Sequence, residues 1–147
     1  MTDNLQVIFI EDDELVRRAS VQSLQLAGFA VTGYASVEAA RSAFNPVSGD
    51  AFAGVIVSDI RLPGASGLDL LAQCHERAPD VPVILVTGHG DISMAVQAMR
   101  DGAYDFVEKP FAAERLIETV RRALERRRLV LENDALRREL AGRDALA

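Results

Sequence analysis

Lys109, in the stretch YDFVEKPF, is the only lysine of a chain that holds fifteen arginines. A lysine offers a compact, strongly hydrated point charge on a flexible stem, which a planar guanidinium fork does not reproduce. A chance lysine in a Lys-Pro turn is the plainer account of the same residue. Three aspartates stand at comparable places: Asp12 and Asp13 follow the apolar run VIFI, and Asp59 follows GVIVS. Thr87 ends a third apolar run, VPVILVT. Carboxylates gathered in a small space raise one another's pKa unless a cation intervenes. A hard divalent ion such as Mg²⁺ resolves that repulsion with a few oxygen ligands and retained waters, and typically takes phosphate oxygens as well. With Lys109 as a second fixed cation and the Thr87 hydroxyl alongside, the constellation suits a phosphoryl group, and one carboxylate is free to attack phosphorus. Asp13 or Glu14, taken singly, also fits the cap of the helix that follows. Asp59 fits that role less well, because IRLPG after it places a turn at Pro63 and Gly64 and delays the next helix.

For these residues to meet, the elements that carry them must end side by side. VIFI (7–10), GVIVS (54–58) and VPVILVT (81–87) are continuously apolar and rich in Val and Ile, the mark of strands buried on both faces. FAVTGY (29–34) reads as an edge strand, and YDFVE (104–108) as a fifth strand with Tyr104 and Phe106 on one face. The helical stretches between them begin at polar residues, Asp91 among them as an expected cap, and close at Gly28, Pro46, Pro79 and Gly102. This alternation predicts an α/β fold, a five-stranded parallel doubly wound sheet with five helices. The common flavodoxin-like order 2-1-3-4-5 places a crevice at the carboxyl ends of strands 1 and 3, where the charged residues lie.

A chain of 147 residues with 49% hydrophobic and 26% charged content is a well-cored domain with something left over, not a disordered or collagen-like one. Its apolar runs are too short to span a bilayer, and MTDNLQ lacks the basic start and apolar stretch of a signal peptide, so a cytoplasmic protein without membrane contact is expected. A single cysteine, Cys74, excludes an internal disulfide and reads as a helix-packing residue, while His75 and His89 are too isolated to build a metal site. Charge is unevenly distributed. Residues 1–113 carry seven basic and fifteen acidic side chains, residues 114–147 nine basic and seven acidic. An acidic body and a near-balanced tail lack the positive field of a duplex-binding surface, so no direct nucleic-acid contact is expected.

The motifs IEDDE, VSDIRLPGASG, LVTGHG and DFVEKPF, in this order and spacing, resemble the receiver domain of bacterial two-component response regulators over residues 5 to about 122. The resemblance implies a phosphoacceptor that takes a phosphoryl group from a sensor histidine kinase, with no enzyme activity beyond its own phosphotransfer and dephosphorylation. Carried over residue by residue, it makes Asp59 the acceptor, with Mg²⁺ held by Asp12, Asp13, Asp59 and the main-chain carbonyl of Arg61. Thr87 would close onto the phosphoryl group, Lys109 would pair with it, and Phe106 would be the switch aromatic. Glu11 is left out of the carried-over set. An aspartate-nucleophile phosphatase is the alternative from another class, but its D-x-D pattern at the end of strand 1 is missing from EDDE.

The expected organisation is a receiver over 1–122 and a helical coiled-coil linker over 123–147. In the tail, Leu129, Asn133, Leu136 and Leu140 recur at spacings of four, three and four, the seam of a parallel two-stranded coiled coil with Asn133 fixing register. A solvated single helix is the competing reading. RRALERRRLVLENDALRREL is similar to the linker between receiver and ATPase output domain in NtrC-class, sigma-54-dependent activators, and most like that of dicarboxylate-transport regulators. A homodimer through this helix, and through the face of the fourth helix, fifth strand and fifth helix, follows as an expectation. The ATPase domain would be missing, since its phosphate loop needs a lysine and the only one is already placed. A helix-turn-helix output domain is the alternative within the same family.

Overall fold

The computed structural model describes residues 5–44, 52–88 and 90–146. The expected helix end at Pro46, and His89, lie outside the described residues. Strands and helices alternate as β1 (Gln6–Ile10), α1 (Glu14–Leu26), β2 (Ala30–Tyr34), α2 (Val37–Phe44), β3 (Gly54–Asp59), α3 (Gly67–Arg77), β4 (Val83–Thr87), α4 (Ile92–Arg100), β5 (Asp105–Glu108) and α5 (Ala113–Leu146). All strand pairs are parallel, and the sheet runs β2-β1-β3-β4-β5. The chain steps outward from β1 to β2 and then crosses back to β3, so the crevice opens between the ends of β1 and β3.

The apolar runs form central strands because both of their faces are covered. Strand pleating sends Ile8, Ile10, Ile56 and Leu85 to one side, where Val37, Ala40, Leu70, Cys74, Ala95 and Ala98 of α2, α3 and α4 meet them. Val7, Phe9, Val55, Val57, Ile84 and Val86 face the other side, against Leu24 of α1 and Leu116, Val120 and Ala123 of α5. Each fully buried Val, Leu or Ile contributes about 1.5–3 kcal/mol relative to exposure. β3 and β4 are buried along their whole length, whereas β2 at the edge is only half buried. Burial also keeps the Cys74 thiol protonated, with its pKa pushed up to about 11.

Local signals set the helix ends. Asp13 caps α1, accepting from the backbone N–H groups of Leu15 and Val16, and Ser66 opens α3 with a reciprocal capping box to Asp69. α1 ends where Gly28 adopts φ +100°, a conformation that costs a side-chain-bearing residue. Asp91 sits at the N-cap position of α4 but makes no side-chain cap bond, contrary to the expectation for it.

α5 runs for 34 residues, roughly 50 Å at 1.5 Å per residue. Leu116, Val120, Ala123 and Arg127 recur at spacings of four, three and four and are buried, so the helix continues to pack beyond residue 122. Arg127 is 1% exposed and donates from Nη2 to the Phe52 carbonyl at 2.8 Å. Leu129, Leu136 and Leu140 are about half exposed. Leu129 stands about 200° round the helix from Arg127, on the side turned away from the sheet. Among the described residues no helix is long and apolar enough to cross a membrane.

Candidate functional site

β1 does not release the chain at Ile10. The Glu11 N–H still donates to the Tyr34 carbonyl at 3.0 Å, and Arg17 Nη1 donates to the Glu11 carbonyl at 2.9 Å. Glu11 is thereby held in line with the strand, and its side chain, in a residue 2% exposed, lies in the crevice. Asp12 follows at the surface, and Asp13 turns to α1, its Oδ1 accepting from Leu15 N at 2.9 Å and Val16 N at 3.1 Å. Among the described residues, one carboxylate oxygen each from Glu11, Asp12 and Asp59 lie within 4.8 Å of one another. The acidic group that these oxygens form is Glu11 and Asp12 with Asp59, while the carboxylate of Asp13, expected beside them, caps α1. Asp13 is one residue too far along, where its carboxylate satisfies the open N–H groups of the helix.

Asp59, 7% exposed, ends β3. Its Oδ1 accepts from the Arg61 N–H at 3.2 Å. α3 can begin directly beneath it because residue 67 is glycine: a Cβ there would come within 2.4 Å of the Asp59 carbonyl oxygen. The loop between them is tied to α2, where Glu38 Oε2 accepts from the Ala65 N–H at 2.9 Å. That backbone donor holds the Glu38 carboxyl below the usual glutamate range.

Lys109 enters from the far side of the sheet. Its N–H donates to the Thr87 carbonyl at 2.8 Å, and its peptide bond to Pro110 is cis. Nζ reaches past β4 to Asp59 Oδ2 at 2.8 Å and Glu11 Oε1 at 2.5 Å. Burial acts to lower the Lys109 pKa, but the bonds to Asp59 and Glu11 outweigh it and the ammonium form is favoured. Burial lifts the Glu11 carboxyl above its ordinary value, with Lys109 opposing the lift and Asp12 adding to it.

Thr87, at the end of β4, is fully buried, and its Oγ1 has no hydrogen-bond partner among the described residues. Phe106 pairs in register with Leu85 on β4 and is half buried against the core on the α2, α3 and α4 side. Tyr104 packs into the opposite core, so the expected common face of these two aromatics is corrected. β5 begins only at Asp105, and the two-residue alternation does not reach back to Tyr104.

The structure thus brings together Asp12, Asp59, Lys109 and Thr87 from the ends of four neighbouring segments. It adds Glu11, which the sequence reading passed over. The arrangement sets the Glu11 and Asp12 carboxylates and the Lys109 ammonium about the Asp59 carboxylate, and the neighbouring strand β4 ends in a buried hydroxyl that has no partner among the described residues. It can receive an electrophile that carries its own negative oxygens.

Comparison with known proteins bears on this chemistry. The family model described as the response regulator receiver domain matches residues 7–121. The chain is 56% identical over 132 residues to the C4-dicarboxylate transport transcriptional regulatory protein DctD of Rhizobium meliloti (strain 1021), covering 90% of this chain and 28% of that protein. It is 55% identical over 141 residues to the protein of the same name from Pseudomonas aeruginosa, covering 96% of this chain and 30% of that one. The chain therefore spans less than a third of the length of either relative. A crystal structure of FixJ-N superposes with a TM-score of 0.73 at 43% identity, covering 83% of this chain and 94% of that one.

Proposed function

Because the chain belongs to the response regulator receiver domain family, we propose that Asp59 is its phosphoryl acceptor and that a sensor histidine kinase is the donor. A receiver is a signalling domain and not a catalytic enzyme, so the chemistry falls on its own side chain. The single observation that carries this reading is the Lys109 ammonium bridging Asp59 Oδ2 and Glu11 Oε1, with a third carboxylate, Asp12, beside them.

One ammonium does not balance three carboxylates. The donor set is all hard oxygen, and its excess negative charge fits Mg²⁺. Asp12 and Asp59 would hold the ion, with Glu11 beside them and the main-chain carbonyl of Arg61 as a further ligand. When bound, Mg²⁺ neutralises charge on the phosphoryl oxygens. The chain's own residues do the rest. An Asp59 carboxylate oxygen forms the new P–O bond as the P–N bond of the phosphohistidine breaks. The electron pair returns to the imidazole, which leaves neutral with a proton on its other nitrogen. Lys109 donates to the incoming oxygens. The buried Thr87 hydroxyl, with no partner among the described residues, gains an acceptor when it closes on them, and Phe106 turns inward into the space that this movement opens.

For the whole protein we propose a cytoplasmic sigma-54-dependent transcriptional activator, with α5 leading to an ATPase output domain and joining two copies through Leu129, Asn133, Leu136 and Leu140. The similarity to the two dicarboxylate transport regulators supports this reading. Acetyl phosphate and Mg²⁺ added to wild type and Asp59→Asn, followed by intact mass, test the acceptor. Wild type is expected to gain one phosphoryl group and the variant none; equal labelling of both would move the acceptor elsewhere.

A further inference from the structure

Arg61 joins two loops that the phosphotransfer chemistry does not require to be joined. Its backbone N–H donates to Asp59 Oδ1 at 3.2 Å. Its guanidinium crosses to the loop before α4, where Nε donates to Asp91 Oδ2 and Nη2 to Asp91 Oδ1, each at 2.8 Å. This is a two-pronged, charge-assisted contact of the kind that only arginine makes. Nη2 also lies 4.0 Å from Met94 Sδ in the first turn of α4. The Asp91 side chain is 7% exposed and that of Arg61 71% exposed. The contact holds the Asp91 carboxyl below the usual aspartate range and raises the guanidinium pKa.

Asp91 is the residue type that best caps a helix, it occupies the cap position, and its carboxylate is turned elsewhere. Its backbone, at φ −102° and ψ 16°, also departs from the extended geometry of the working caps Asp13 and Ser66. α1 and α3 begin with a side-chain cap, whereas at the start of α4 the Asp91 carboxylate is bound by Arg61 and makes no cap bond.

We infer that Arg61 is a positioning residue that couples the state of Asp59 to the start of α4. While Asp59 is unmodified, the guanidinium withholds Asp91 from the helix; once Asp59 carries a phosphoryl group, Arg61 releases Asp91, which caps α4. This rests on the reading of Asp59 as acceptor. Both Asp59 oxygens are engaged, Oδ2 by Lys109 and Oδ1 by the Arg61 N–H. Forming the P–O bond turns one of them into a bridging oxygen and delivers a group of about two negative charges beside it. Arg61 is bound to Asp59 through its backbone N–H at 3.2 Å, so the added charge arrives two residues from the guanidinium and competes with Asp91 for it. A carboxylate set free at a cap position finds the open N–H groups of Ser93 and Met94, at the positive end of the helix. α4 also carries the partly exposed Ile92, Val96 and Met99, so a change at its first turn alters an apolar surface.

Amide hydrogen exchange at Ser93 and Met94 in the full chain, with Mg²⁺ and with or without beryllofluoride, tests the coupling. Fluorine NMR reports loading at Asp59, and β1 and β3 amides report an intact fold. Loading of wild type is expected to slow exchange at the two amides about tenfold or more. Asp91→Ser, which can cap but cannot pair with Arg61, and Arg61→Gln, which frees Asp91, are expected to show that slow exchange without loading. Asp91→Ala, which can do neither, is expected to exchange fast in both states. Unchanged exchange in loaded wild type, or Asp91→Ser behaving like Asp91→Ala, overturns the coupling. If wild type does not load at all, the acceptor reading falls, and the unloaded Asp91→Ser and Arg61→Gln chains still decide whether the contact withholds a cap.

Discussion

Lys109 holds Glu11 and Asp59 through one nitrogen, at 2.5 and 2.8 Å. A guanidinium has the same charge but spreads it over a plane, and its fork is wider than a gap already closed on both sides. Lys109→Arg is therefore expected to slow phosphoryl uptake at Asp59 by about tenfold or more, measured by intact mass against time with acetyl phosphate. Arg100→Lys, on the exposed side of α4, is the control and is expected to keep the wild-type rate. Uptake by Lys109→Arg at that rate would make the lone lysine an accident of composition. The convergence of Asp59 and Lys109 is legible in the sequence because each directly follows a stretch that reads as a strand. Glu11 is not legible in the same way. In Glu11-Asp12-Asp13-Glu14 every residue is acidic, so composition does not tell where the strand stops pointing residues into the crevice and the helix starts taking caps. That boundary is set by the Glu11–Tyr34 ladder bond, which connects residues far apart in the chain.

At the scale of elements, the loop that carries the acceptor is positioned from α2 by Glu38. Its carboxyl pKa is lowered by the Ala65 N–H, so the ionised form favours the folded state. That stability is complete above the unfolded glutamate value, about 4.3, and is lost as pH falls through the lower folded value. Wild type is expected to resist urea better than Glu38→Gln at neutral pH, with the gap closing below about pH 4. A gap that stays constant from pH 7 to pH 3 would mean that charge plays no part in the contact. The strands were predictable from sequence because burial on both faces leaves a continuous apolar signature in β3 and β4. Two features were not, and both are tertiary. Asp91 has the right type and place for a cap, but a guanidinium thirty residues away in sequence takes its carboxylate. Tyr104 and Phe106 have the spacing of one strand face, but strand pairing begins between them.

At the scale of the molecule, α5 has two faces with different partners. Leu116, Val120 and Ala123 are packed on the chain's own sheet and Arg127 on the Phe52 carbonyl just before β3, whereas Leu129, Leu136 and Leu140 are about half exposed. If the second face joins two copies, Leu129→Glu with Leu136→Glu is expected to weaken the dimer by about two orders of magnitude or more. Sedimentation of the full chain over a range of concentrations measures it. Truncation after Arg128 is the informative companion, because it keeps the Arg127 bond to Phe52 and removes the leucine face together with the rest of α5. Wild type that remains monomeric at all concentrations would leave that face without the partner assigned to it. The sequence showed this second face, but not that the first reaches Arg127. An arginine in the anchoring stripe reads as solvent-facing until its buried carbonyl partner is known. Because α5 leaves the sheet as an unbroken helix, anything attached beyond it inherits an angle as well as a distance. Each residue added or removed in that stretch turns the attached part by about 100° and shifts it by about 1.5 Å. Seven residues nearly restore the phase and one or two do not, so the length of the rod is itself heritable information, and point substitution cannot edit it.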